Sequence, residues 1–154
     1  MKRRTLLKSS LTAGVAGIAA GAGLLTPQVV MAAWPKSAFK SKTIDNAVKN
    51  LLGSSGLATS GDITIKAPPI AENGAVVNIA VTSKLKNVSS ISILVEKNAQ
   101  PLTSSFNLSS VTEPFVKTRV KIAKTSRVLA VVKSGGKLYS ASREVKVTIG
   151  GCGG

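Results

Sequence analysis

The feature that most limits the possible folds is a series of short segments in which apolar and polar residues alternate. In the first segment Ile63 and Ile65 would face a core while Thr64 and Lys66 face solvent. The segments span residues 62–67, 75–82, 88–97, 103–108, 115–123, 128–133 and 138–149. Turns recur about every 8 to 12 residues and no helical crossover intervenes. The pattern therefore predicts an all-β protein, an antiparallel sandwich of immunoglobulin type.

Three of these segments carry further information about their place in the sheets. Residues 128–133 are almost entirely apolar, which predicts a central strand covered on both faces. Residues 103–108 follow Pro101 and predict a short edge strand. Gly135-Gly136 predicts a hairpin turn before the last strand, and Glu72-Asn73-Gly74 predicts a turn before the second.

One short helix is predicted ahead of the strands, over residues 42–52. Thr43 can cap its first turn and Gly53 can end it. The spacing of the apolar residues places one face of this helix against the sandwich; that face comprises Ile44, Val48, Leu51 and Leu52.

The first 32 residues have the form of a cleaved twin-arginine export signal. A basic start with Arg3-Arg4 precedes a weakly apolar stretch that is rich in glycine and alanine. Small residues near Ala32 predict cleavage there, so that a domain of residues 33–149 and an arm of residues 150–154 remain. The alternative is an uncleaved anchor that packs through Gly17 and Gly21. The signal predicts export with the twin-arginine translocase as a transport partner, and its cleavage would leave no permanent membrane anchor.

Composition narrows the functions open to the exported domain. About 120 residues suffice for one core. Loss of four signal cations would lower the formal net charge from +15 to +11, which favours anionic ligands or acidic partners. Nucleic acid fits poorly, because the few aromatic residues are not interleaved with basic ones. The chain has no histidine, one cysteine and six scattered carboxylates, so we expect no metal and no other cofactor.

The basic residues of one predicted strand form a candidate patch. Lys117, Arg119 and Lys121 point outward in a row from segment 115–123. Such a row can attract oxyanions or acidic partners, but it is more often a solvated face or a defence of a sheet edge. A partner is expected to contact an exposed apolar sheet face, and the sequence does not say which one.

The single cysteine, Cys152, lies between paired glycines. The segment is expected to form a flexible, unhindered arm rather than part of a packed core, because its other residues are Gly150, Gly151, Gly153 and Gly154. With Ile149 as the last anchored residue, Cys152 could reach on the order of 10 Å beyond the sheet. The arm has no histidine and no cation of its own, so nothing in the pentapeptide activates the thiol for catalysis. The thiol is therefore expected to carry a bound group and not to act as an enzyme's nucleophile.

The chain resembles the SoxY family, the sulfur-carrier subunits of the bacterial thiosulfate-oxidising (Sox) system. The resemblance lies in the Gly-Gly-Cys-Gly-Gly terminus, in a central segment 67–77 that includes Ala67-Pro68 and Ile70-Ala71-Glu72-Asn73-Gly74, and in the later segments 118–123 and 144–148.

This resemblance implies an immunoglobulin-like fold, a periplasmic location and a heterodimer with the subunit SoxZ. It also implies that Cys152 carries sulfur intermediates covalently through a cycle. The haem enzyme SoxAX couples thiosulfate to the thiol, the hydrolase SoxB releases sulfate, and SoxCD, where present, oxidises the remaining sulfane sulfur.

Two other functions remain open for this sequence. A redox enzyme is expected to have a depressed thiol pKa and normally a resolving cysteine, and the sequence offers a sign of neither. A structural periplasmic sandwich could instead use Cys152 to form a disulfide-linked dimer.

Overall fold

The computed structural model describes residues 34–148, which form two short helices followed by nine strands. Helix α1 spans Lys36–Lys40 and helix α2 spans Ile44–Leu52. The strands are β1 (Ala58–Thr59), β2 (Ile63–Lys66), β3 (Ile70–Ala71), β4 (Val77–Ser83), β5 (Val88–Val95), β6 (Leu102–Asn107), β7 (Phe115–Val120), β8 (Ser126–Ser134) and β9 (Lys137–Val147). The predicted signal segment 1–32 and the arm 150–154 lie outside the described residues.

The strands form two sheets, which confirms the predicted β-sandwich. The large sheet has the order β1-β9-β8-β5-β6, and β3 pairs with the end of β9. The small sheet has the order β2-β4-β7. The predicted central strand is β8, between β9 and β5, and the predicted edge strand is β6. The seven predicted strands pair antiparallel; β1 and β3, two residues each, were not predicted and run parallel to β9.

The main core lies between the two sheets and is built by strict alternation. In β2 the buried residues are Ile63 and Ile65, while Thr64 and Lys66 are exposed, as predicted. The inner positions of the strands are apolar throughout: Val77, Ile79, Val81, Ile91, Ile93, Val95, Val116, Val120, Val128, Ala130, Val132 and Val145. Ile122, just beyond β7, is also fully buried. The hydrophobic burial of these side chains is the main force that holds the sheets together.

A second core covers the outer face of the large sheet. Leu94 and Val131, which point away from the sandwich interior, are fully buried beneath the helices. Helix residues Ala38, Ala47 and Val48 pack there, with Ile44, Leu51 and Leu52 partly buried around them. The helical face predicted from the sequence is therefore the face that packs.

Helix α2 begins and ends where the sequence predicts. The side chain of Thr43 accepts a hydrogen bond from the backbone N–H of Asn46 at 3.3 Å, which satisfies a donor of the first turn. Gly53 adopts a left-handed conformation with φ of 82°, and its N–H donates to the carbonyl of Lys49.

The predicted turns are present as well. Gly135 and Gly136 have φ of 54° and 79° and join β8 to β9. Positive φ at both central residues is the geometry that a tight two-residue hairpin requires. Before β4, the side-chain oxygen of Asn73 accepts a hydrogen bond from the Ala75 N–H at 2.9 Å.

The small sheet leaves its outer face exposed, and this face is polar and basic rather than apolar. Thr64, Asn78 and Thr82 lie there beside Lys66, Lys117 and Arg119, with Phe115 half exposed at one end. Between residues 34 and 148, no helix is long and apolar enough to span a membrane.

Candidate functional site

The described part of the candidate site is the end of β9, from which the chain continues toward Cys152. Cys152 and the glycines Gly150, Gly151, Gly153 and Gly154 lie outside the described residues. The structure does describe Thr148, the residue after β9, from which the chain continues to Cys152.

The end of β9 is held on one side by the short strand β3. The N–H of Lys146 donates to the carbonyl of Pro69 at 3.0 Å, and the N–H of Thr148 donates to the carbonyl of Ala71 at 3.2 Å. The register pairs Ile70 with Lys146 in parallel. These bonds extend backbone pairing to the last described residue of the chain.

A threonine side chain holds the other side of β9. Backbone pairing with β8 ends at Ser126 and Val145. Beyond it, the hydroxyl of Thr125 accepts a hydrogen bond from the Val147 N–H at 3.0 Å and lies 3.5 Å from the Val147 carbonyl, to which it donates. The Thr125 hydroxyl therefore replaces the backbone partner that Val147 would have if β8 extended further.

Packing fixes the same end of β9. Val145 is fully buried in the main core, and Ala71 of β3 is 6% exposed beside it in the same cluster. Because Thr125 holds Val147 from one side and Ala71 holds Thr148 from the other, Cys152 lies only four residues beyond a fixed position, with three residues between. Covalent geometry then limits the Cα atom of Cys152 to within about 14 Å of the Cα atom of Thr148.

Other loops reach the same end of the sandwich as the end of β9. The N–H of Ile122 donates to the carbonyl of Gly74 at 2.7 Å, and the side-chain amide of Asn98 donates to the carbonyl of Lys121 at 2.8 Å. We call this end, formed by residues 66–76, 96–100, 121–127 and 143–148, the arm end.

The arm end contains an ion pair between Glu96 and Arg127. The guanidinium donates two hydrogen bonds to the carboxylate, at 2.6 and 3.0 Å. These bonds lower the pKa of the Glu96 carboxyl below its ordinary value and raise the pKa of the Arg127 guanidinium. The pair neutralises one of the few carboxylates in this region, and it adds little to stability because Arg127 is exposed to solvent and Glu96 is only partly buried.

The three basic residues predicted to form one row lie in two different parts of the surface. Lys117 and Arg119 lie on the outer face of the small sheet, whereas Lys121 lies just beyond β7 at the arm end. Lys66 joins the first two from β2, because Lys66 and Lys117 flank Ala80 of β4 in register. The sequence could not reveal this neighbour, since it depends on which strands pair.

Within residues 34–148 there is no group of three or more histidine, cysteine, aspartate or glutamate side chains placed to hold a metal ion. The described surface does have a shallow groove on the small sheet. Lys66, Pro68, Phe115 and Lys117 line it.

Comparison with protein families identifies the chain. The family model for the sulfur oxidation protein SoxY matches residues 48–152, a segment that runs from helix α2 to Cys152. The chain belongs to the SoxY family. The resemblance noted from the sequence is therefore confirmed.

Solved structures agree with this family and with the fold. The sulfur carrier protein SoxY from Chlorobium limicola f. thiosulfatophilum shares 43% sequence identity, with a TM-score of 0.64 over 70% of this chain and 97% of that chain. A superoxide reductase (neelaredoxin) from Ignicoccus hospitalis matches with 17% identity and a TM-score of 0.51, over 69% of this chain and 93% of that one. At that identity the second likeness concerns the fold alone. Comparison with curated proteins gives no significant match.

Proposed function

We propose that this SoxY-family chain is a covalent carrier of sulfur intermediates and that Cys152 is the attachment point. The observation that carries the proposal is the position of Cys152. It lies within the segment that matches the family, five residues beyond Val147, where β9 ends and hydrogen bonds hold the chain on both sides. A short segment on a fixed base can bring a bound group to another protein while the sandwich stays folded.

The proposed cycle begins with oxidative coupling. The Cys152 thiolate and the outer sulfur of thiosulfate form a disulfide bond, and the electron pair released passes to the haem enzyme SoxAX. SoxB then uses water to cleave the terminal S–S bond, so that sulfate and protons leave and a persulfide remains on Cys152. Where SoxCD is present, it oxidises that sulfane sulfur. In this scheme the chain is a substrate of its partners and not an enzyme, and it needs no cofactor of its own.

The proposal includes a location and a permanent partner. Residues 1–32 are proposed to direct the folded chain through the twin-arginine translocase to the periplasm, where it works as a heterodimer with SoxZ. The family membership and the Arg3-Arg4 segment support these assignments.

The test is intact mass spectrometry of the mature protein from thiosulfate-exposed cells, with and without a thiol reductant. We expect adducts on the Cys152 peptide that the reductant removes, in steps of one sulfur atom or one thiosulfate-derived group. The same spectra give the mature N-terminus, which we expect at about Ala33.

The Cys152→Ser variant separates the carrier from the alternative of a Cys152-linked structural dimer. A carrier with this change loses thiosulfate-dependent turnover in a reconstituted Sox system, while its fold and its SoxZ binding remain. If turnover survives and only a disulfide-linked dimer disappears, the structural alternative is correct.

A further inference from the structure

The short distance between Thr148 and Cys152 determines where a partner enzyme must bind. If Cys152 carries the substrate, as proposed above, an enzyme that receives it must reach a sulfur atom whose own Cα atom stays within about 14 Å of the Thr148 Cα atom. The surface around Thr148 is the arm end. Its chemistry therefore indicates what kind of protein face the visiting enzymes present.

Exposed apolar side chains lie close to the base of the arm. Ile70 is 55% exposed in β3, where it pairs with Lys146 of β9. Val76 is 54% exposed between the Asn73 turn and β4. An apolar centre with a polar rim is the usual composition of a protein interface, so these two side chains could supply the apolar part of one.

The residues around these apolar side chains are predominantly basic. The cations of the arm end are Lys66, Lys97, Lys121, Lys124, Arg127, Arg143 and Lys146. The carboxylates there are Glu72, Glu96 and Glu144, and Glu96 is paired with Arg127. The outer face of the small sheet continues this character through Lys117 and Arg119.

We propose that the arm end is a docking surface for acidic protein faces, which surround the active-site entrances of the enzymes that act on Cys152. Ile70 and Val76 supply the apolar contact, and the lysines supply attraction at a distance. A second copy of this chain is a poor occupant, because two arm ends would bring like charges together. Charge attraction of this kind raises the rate of encounter more than the strength of the final complex.

Strand β9 and its neighbours offer a matched control for this proposal. Lys137 and Lys146 are both exposed and lie at opposite ends of β9, about 30 Å apart at the rise of a β-strand. That separation exceeds the distance over which charges act in physiological salt, about 8 Å. Lys84 and Lys86 lie with Lys137 at the far end, just as Lys66 and Lys121 lie with Lys146 at the arm end.

The experiment compares two triple variants of the full mature chain in complex with SoxZ. One carries Lys66→Glu, Lys121→Glu and Lys146→Glu; the other carries Lys84→Glu, Lys86→Glu and Lys137→Glu, which is the same change in net charge. Turnover by purified SoxAX and SoxB is measured at increasing carrier concentration, at about 25 mM and about 300 mM NaCl.

We expect the arm-end triple to lower kcat/KM for the carrier about tenfold at low salt, with kcat at saturation unchanged, and the deficit to shrink at high salt. The far-end triple should change kcat/KM less than about twofold. Equal effects of the two triples would overturn the proposal. So would loss of SoxZ binding or a change in self-association by the arm-end triple alone, since either result would assign this surface to a different occupant.

The same assay separates this proposal from the carrier function on which it rests. Cys152→Ser reports on the carrier function, because retained turnover in that variant would refute covalent carrying. The contrast between the two triples reports on docking and is read with Cys152 intact.

Discussion

The two sheets share one core, but their outer faces have different surroundings. The outer face of the large sheet is covered by α1 and α2, and Leu94 there is fully buried. The outer face of the small sheet is exposed to solvent and carries Asn78, Lys117 and Arg119. The sequences of the strands follow this difference. In the large sheet β5 and β8 are buried almost throughout, whereas in the small sheet β2 alternates strictly.

The comparison shows that a sheet face is available for binding a partner only where no helix of the same chain packs on it. The amphipathic helix α2 covers the more apolar of the two outer faces, so that face cannot also serve a partner without displacing the helix. The remaining face is polar and basic and adjoins the arm end.

The largest effect is expected from placing a charge on each outer face in turn. Leu94→Asp would bury an unpaired carboxylate under the helices and lower the free energy of unfolding by at least about 4 kcal/mol, or prevent folding. Asn78→Asp, at an exposed outer position of the small sheet, should change it by less than about 0.5 kcal/mol. Urea denaturation followed by circular dichroism measures both.

Because both variants introduce aspartate, the difference between them tests whether the helices cover the large sheet while the outer face of the small sheet is open to solvent. If Leu94→Asp cost less than about 1 kcal/mol, the helices would not cover the large sheet as described. If Asn78→Asp were as harmful as Leu94→Asp, the outer face of the small sheet would be buried in the folded protein.

Much of this fold could be predicted because period-two alternation and turn residues are local signals. The seven longer strands, the cap at Thr43 and the glycine hairpin were predicted in this way, and the structure confirms them. Strands β1 and β3 were missed because two residues cannot show a period. Their parallel pairing with β9 depends on contacts between residues that are far apart in the sequence.

The candidate site could be predicted only at its cysteine. The glycines around Cys152 are a local signal, whereas the elements that hold the base of the arm come from two distant segments, one around Ala71 and one at Thr125. Neither the hydrogen bonds of Thr125 nor the pairing of Ile70 with Lys146 leaves a recognisable pattern in the sequence. The position of Lys66 beside Lys117 was also out of reach, because it depends on the strand order of the small sheet.

A smaller effect on the free energy of unfolding is expected from substituting glycines. The two positions compared are Gly136, in the hairpin of the large sheet, and Gly61, just before β2 of the small sheet. Gly136 has φ of 79°, and a Cβ atom there would meet nothing within 4 Å, so the cost of Gly136→Ala is backbone strain alone. We expect a loss of about 1 kcal/mol in the free energy of unfolding. Gly61→Ala, which also has open space but no positive φ, should be neutral or slightly stabilising.

Thermal and urea unfolding of the two glycine variants provide the measurement. A cost at Gly61 equal to that at Gly136 would mean that added volume, and not backbone conformation, limits both positions.

The smallest effect on stability is expected at Thr125, just beyond the last backbone pair between β8 and β9. Thr125→Val keeps the shape of the side chain but removes the hydroxyl that accepts from the Val147 N–H. The lost hydrogen bond is worth about 1 kcal/mol, so exchange of the Val147 amide hydrogen should become about fivefold faster. Hydrogen exchange followed by NMR measures this, and Thr125→Ser, which keeps the hydroxyl, is the matched control.

The Lys146 amide provides an internal reference for the same experiment, since its partner is the carbonyl of Pro69 in the chain that leads into β3. If Thr125 acts only on the last residues of β9, exchange at Val147 rises while exchange at Lys146 and the unfolding midpoint stay nearly unchanged. The base of the arm is then held by two independent contacts, one on each side. If both amides exchange faster together, the end of β9 opens as one unit, and β3 depends on Thr125 to keep its place in the large sheet.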